Sequence, residues 1–127
     1  MASGGAHKRL LLKSPVHTAR VRMMHAMFPK ATFVFIHRHP YEVFQSAVHM
    51  ADAYYWQCYF QLPSAQDVEE FILYQGELLH RVYTEDIADV PPGQRTEVRF
   101  EDLHADPMAT LSALYTALGW GHEFEQV

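Results

Sequence analysis

The amino-acid sequence predicts an α/β domain: an open, parallel sheet flanked by helices. Three observations carry this. "ATFVFIHR" (residues 31–38) is a block of β-branched and aromatic residues, apolar on both faces, as in a sheet strand covered on both sides. A second alternating block, "RTEVRFEDL" (95–103), lies far along the chain. Between and after these blocks the apolar residues recur at spacings of three and four, the helical period. Strands separated by helices pair in parallel, and ligands on such sheets bind beyond the carboxyl ends of the strands.

In chain order, "MASGGAH" is small and flexible, and residues 1–8 read as a tail ahead of one domain spanning 9–127. "RLLLK" (9–13) is a candidate short buried strand. "SPVHTARVRMMHAMFP" reads as a helix with Val16, Ala19, Met23 and Met27 on one face and Pro29 as its stop. After "ATFVFIHR", Pro40 suits the first position of a helix whose apolar face is Val43, Phe44, Ala47, Val48 and Ala51. "YYWQCYFQLPS" is a dense aromatic run with no clear period. A long amphipathic helix is predicted over 65–90, carrying Val68, Phe71, Ile72, Leu78, Leu79 and Val82, with "PPGQ" breaking it. "DPMATLSALYTALG" is a marked helix: Asp106 as N-cap, Pro107 at its first position, Gly119 as terminator.

Composition narrows the function. A chain of 127 residues with 49% hydrophobic and 20% charged residues is enough for one core. A net charge of −5 argues against a general nucleic-acid binder, although a local basic site can sit on an acidic protein. The single cysteine, Cys58, excludes an internal disulfide. No apolar run is long enough to span a bilayer, so the chain reads as soluble, and as cytoplasmic by default. The nine histidines show no helical zinc-site spacing, and no metal is expected.

The candidate chemistry gathers at strand ends. Arg38 stands where a strand runs out and a helix begins, and a helix N-terminus presents unpaired N–H groups and positive dipole to an anion. Its guanidinium is a planar fork that matches phosphate oxygens. Ser46, eight residues on, adds a hydroxyl if its face looks along the same groove. Lys13 ends the first predicted strand at the same edge of the sheet, and His17, four residues further, is the one histidine placed to act as a base. Glu101 and Asp102 follow the last strand, where carboxylates either meet a ligand or cap the adjoining helix; capping is the plainer reading.

Together, "LLLKSPVHTARVRMMHAMFPKATFVFIHRHPYEVFQSAVHM" and "VRFEDLHADPMATLSALYTALGW" resemble the sulfotransferase superfamily, in its bacterial, algal and protein-tyrosine sulfotransferase-like branch. The shared pattern is Lys-x-Pro, a helix ending in Phe-Pro, a strand ending in Arg-Asp-Pro with serine eight residues after the arginine, and a later Glu-Asp-Leu and "LG" helix. The resemblance covers roughly residues 9 to 121. It implies a P-loop-NTPase-like fold and the sulfuryl donor PAPS, 3′-phosphoadenosine 5′-phosphosulfate. It assigns Arg38 and Ser46 to the donor's 3′-phosphate, places Lys13 near the transferred sulfuryl group and leaves His17 as a candidate base toward a hydroxyl or amine acceptor.

Three departures stand out. His39 replaces the usual aspartate after the arginine, which removes a good N-cap. The Gly-rich loop that cradles the 5′-phosphosulfate belongs before Lys13, where only "MASGGAHKRLL" stands and "SGG" is a faint echo. The chain also stops soon after "LGW". The chain therefore resembles the C-terminal portion of the domain, without the N-terminal strand and phosphate-loop unit. Its central strand would carry an exposed edge open to an oligomer or second chain. A non-catalytic remnant, acting as a nucleotide-binding or interaction module, is the alternative. An ATP-dependent P-loop kinase is poorer, because no GxxxxGK[ST] is present. The run Tyr54, Tyr55, Trp56, Tyr59 and Phe60 either lines an acceptor cleft or packs as core or interface, with packing favoured.

Overall fold

Two short strands lie side by side in the centre: β1 (Phe33–His37) and β2 (Arg95–Arg99) pair in parallel, with Phe35 opposite Glu97 and His37 opposite Arg99. A computed structural model describes residues 9–124. The predicted tail, the "SGG" echo and the last three residues of the predicted domain lie outside them. The helices are α1 (Val21–Met27), α2 (Pro40–Ala53), α3 (Ala65–Ile87), α4 (Phe100–Ala105), α5 (Pro107–Ala117) and α6 (Gly121–Phe124). The α/β class and the parallel pairing of the two predicted strands match the expectation. The sheet among the described residues has two strands.

Local chemistry explains most boundaries. Ser64 caps α3 in a reciprocal box: its hydroxyl accepts from the Asp67 N–H, and the Asp67 carboxylate accepts from the Ser64 N–H. The Asp106 carboxylate accepts from the Ala109 N–H at 3.0 Å to start α5. Gly119 follows that helix at φ +72°, the left-handed conformation that glycine adopts without a Cβ penalty.

Four expectations need correcting. Residues 9–13 form no strand. Leu10, Leu11 and Leu12 are 80%, 90% and 52% exposed, because no apolar surface among the described residues stands opposite them. Arg9 instead reaches Glu123 with two hydrogen bonds of 2.9 and 3.0 Å and stacks 3.7 Å from the Trp120 ring. The helix predicted from Pro15 breaks into a 3₁₀ turn (Pro15–Ala19) and α1, because Arg20 takes non-helical angles. The break rotates the faces, so Val21 is buried while Val16, Met23 and Met27 are exposed. β1 is not covered on both sides: Phe33 and Phe35 face the core, whereas Val34 and Ile36 remain 40% and 54% exposed. Finally, "FEDL" is the start of α4 and not strand. β1 ends opposite Arg99, so the chain beyond it has no ladder partner there, and Glu101 and Asp102 suit the positive end of a helix.

The core sits between α1, α3 and β1, where Val21, Tyr83, Ile87 and Val90 pack against Phe33 and Phe35. Asp86 is buried among them at 7% exposure. Its carboxylate accepts from the Arg22 backbone N–H at 3.2 Å and pairs with the Arg22 guanidinium at 2.9 Å. It thereby caps α1 from a neighbouring helix. Replacing Asp86→Ala removes both bonds, and chemical denaturation is expected to show a loss of about 2 kcal/mol. Asp86→Asn, which can still accept from the Arg22 N–H, should recover part of it.

Candidate functional site at the carboxyl ends of the strands

Parallel pairing brings the exits of both strands to one edge of the molecule. The register opposes His37 and Arg99, so the residues that follow, Arg38 and Phe100, become neighbours. The Arg38 guanidinium carbon lies 4.8 Å from the centre of the Phe100 ring. Its Nε–H and an Nη2–H both donate to Glu42 Oε2 at 2.7 Å.

Position 39 has no side-chain N-cap, and a carboxylate from another helix meets its backbone instead. His39 makes no side-chain cap, and its ring stacks on Tyr41. Its backbone N–H donates to Glu101 Oε1 at 2.8 Å. That bond is the main reason the Glu101 carboxyl titrates below its ordinary value; the Glu101 backbone N–H and nearby Arg99 act in the same direction, against a smaller desolvation penalty. Glu101 thus has a structural role, but on a distant helix and not the adjoining one: it ties α4 to the start of α2.

Ser46 lies on α2 one turn beyond Glu42, at the i+4 position, with its side chain toward solvent. Arg38, Glu42 and Ser46 therefore follow one stripe along the start of α2. The other two sequence-derived candidates sit elsewhere. Lys13 is exposed in the irregular segment before the 3₁₀ turn, not at a strand end. His17 is half-buried in that turn, which packs on α3, and its Nδ1 is buried without a partner among the described residues. No hydrogen bond or ion pair links either residue to Arg38 or Ser46 among the described residues.

Comparisons with known proteins place the chain in a family. Residues 1–124 match the model of a family described as the sulfotransferase family. This chain belongs to the sulfotransferase family. Two curated sulfotransferase relatives are each 35% identical over 118 residues, one from Mycobacterium bovis and one from Mycobacterium tuberculosis. Each is named omega-hydroxy-beta-dihydromenaquinone-9 sulfotransferase Stf3, and each match covers 93% of this chain and 30% of the relative. The chain thus spans under a third of these sulfotransferases. No solved structure matches it.

Two residues at the Arg38 junction were missed or underused by sequence reasoning. Glu42 stands four residues after Arg38, an arginine–acid spacing that signals a pair once a helix is placed over it. Phe100 had no local signal; only the parallel register puts it beneath the guanidinium. The exposed members of the aromatic run do not pack as core, which leaves an interface or a cleft. Tyr54, Tyr55, Trp56 and Phe60 are exposed, and Trp56 and Tyr59 line an open groove with Val48, Ala51, Leu62 and Val68.

Proposed function

We propose that this chain carries the 3′-phosphate half of a PAPS-dependent sulfuryl-transfer site on a P-loop-like sheet. The observation that supports it most is the stripe at the start of α2. Arg38 has one edge of its guanidinium on Glu42 and no hydrogen-bond partner at Nη1 among the described residues, with exposed Ser46 further along the same helix. A phosphate dianion fits that set: charge-assisted N–H donors and a hydroxyl, beside the positive end of the α2 dipole.

When bound, PAPS supplies an activated sulfuryl group. In the balanced reaction an acceptor oxygen forms a bond to sulfur, the bond from sulfur to the bridging oxygen breaks, adenosine 3′,5′-bisphosphate leaves, and the acceptor's proton passes to a base. On this reading Lys13 steadies the leaving bisphosphate and His17 is the candidate base. For both to act, their segment and the β1–α2 junction must lie along one cleft. The acceptor is a hydroxyl on an apolar molecule. The substrate in the relatives' name supports this, as does the groove of about 320 Å³ between the end of α2 and the start of α3.

The test is calorimetric titration of the folded chain with adenosine 3′,5′-bisphosphate against adenosine 5′-phosphate. The bisphosphate is expected to bind at least tenfold more tightly, the worth of one charge-assisted hydrogen bond of about 1.5 kcal/mol or more. Equal affinity for the two nucleotides would defeat the proposal.

A further inference from the structure

We infer that Glu42 is a positioning residue: it fixes the Arg38 guanidinium so that its remaining edge is aimed at an anion. The inference rests on the 3′-phosphate reading above. Glu42 is the third residue of α2, the position from which an acid ordinarily folds back onto the N-cap N–H. Here that N–H, on His39, is already taken by Glu101 from α4. Glu42 is thereby released to accept from Arg38 instead.

The geometry of that contact matters. A guanidinium carries five N–H groups in a rigid plane. The Nε and Nη2 groups converge on Glu42 Oε2, which uses one edge. The Phe100 ring lies against one face. Among the described residues Nη1 has no hydrogen-bond partner, so the edge formed by Nη1 and the second Nη2–H is the one left for a ligand. An arginine held this way binds a phosphate without first losing the freedom of its long side chain. A different reading makes Glu42 an internal competitor that the phosphate must displace.

Two substitutions separate geometry from charge. Both Glu42→Ala and Glu42→Gln remove the negative charge, but only glutamine keeps an oxygen that can hold the Nε–H. Titration with adenosine 3′,5′-bisphosphate should therefore find Glu42→Ala about tenfold weaker than Glu42→Gln, with adenosine 5′-phosphate affinity the same in both. Equal bisphosphate affinity of the two variants overturns the inference while leaving the site reading intact. Loss of the native chain's preference for the bisphosphate overturns both together.

A readout on the unsubstituted chain keeps the test independent of how the variants fold. The Arg38 Nε–H resonance, assigned by its disappearance in Arg38→Lys, should keep its hydrogen-bonded position when saturating bisphosphate is added. Its movement to a solvent-exposed position on binding would show that Glu42 had been displaced, and the competitor reading would replace this one.

Discussion

Arg38→Ala is expected to erase the preference for adenosine 3′,5′-bisphosphate over adenosine 5′-phosphate, weakening the bisphosphate by about tenfold to a hundredfold. The range follows from the donors removed. A hydrogen bond to a charged group contributes about 1.5–3 kcal/mol, and each 1.4 kcal/mol is a factor of ten. The monophosphate should be unmoved, because it lacks the 3′ group that the fork would hold. Arg38→Lys is the sharper comparison: it keeps the charge but replaces two fixed donors with a mobile ammonium, so it should fall between the native chain and the alanine variant. Global stability should hardly change, since the pair with Glu42 is exposed and spans i to i+4, an arrangement that contributes about 0.3–0.5 kcal/mol. A folded Arg38→Ala chain that still preferred the bisphosphate would place the 3′-phosphate elsewhere, and the proposed role of Ser46 would fall with it.

The sequence made the framework of this site readable and left its wiring hidden, for a physical reason. Strand β1, the N-terminal proline of α2 and the cap of α5 are signalled by contiguous residues, so local rules find them. Glu101 on the His39 N–H and Phe100 under Arg38 join residues 62 apart in the chain in both cases, and they exist only because β1 and β2 pair in a specific register. The misread segment "RLLLK" makes the converse point. Three leucines have strand propensity, but a strand needs a partner for its backbone and cover for its side chains, and neither is present beside residues 9–13 among those described. The helix face assigned to Val16, Met23 and Met27 failed because a single non-helical residue, Arg20, shifts the phase of everything after it.

Tyr83→Ala should be the most damaging single change to stability, costing about 3–5 kcal/mol. Tyr83 connects α3 to both strands. Its ring stacks on Phe35 of β1 with centroids 4.0 Å apart, and its hydroxyl donates to Glu97 Oε1 of β2 at 3.1 Å. Its neighbours, Ile87 and the 1% exposed Val90, have little room to collapse into the space left. Tyr83→Phe isolates the hydroxyl and should cost about 1 kcal/mol.

The same hydroxyl predicts a pH dependence. Burial, then the negative charge of Glu97 and the bond to it, push the Tyr83 phenol well above its ordinary value, with only Arg95 opposing. A group whose value is raised on folding stabilises the fold fully below its unfolded value, about 10 for tyrosine, and loses that contribution as pH rises through the raised value. Urea midpoints of the native chain should therefore fall with rising pH above about 10, and Tyr83→Phe should fall less steeply over that window. Parallel curves would mean that the phenol meets enough water to ionise normally, and then the link between α3 and the strand that delivers Glu101 to the site is weaker than the geometry indicates. A steeper native curve would tie the alkaline limit of the fold to the helix–strand contact that keeps β1 and β2 in register, and through that register to the placement of Phe100 and Glu101 at the Arg38 junction.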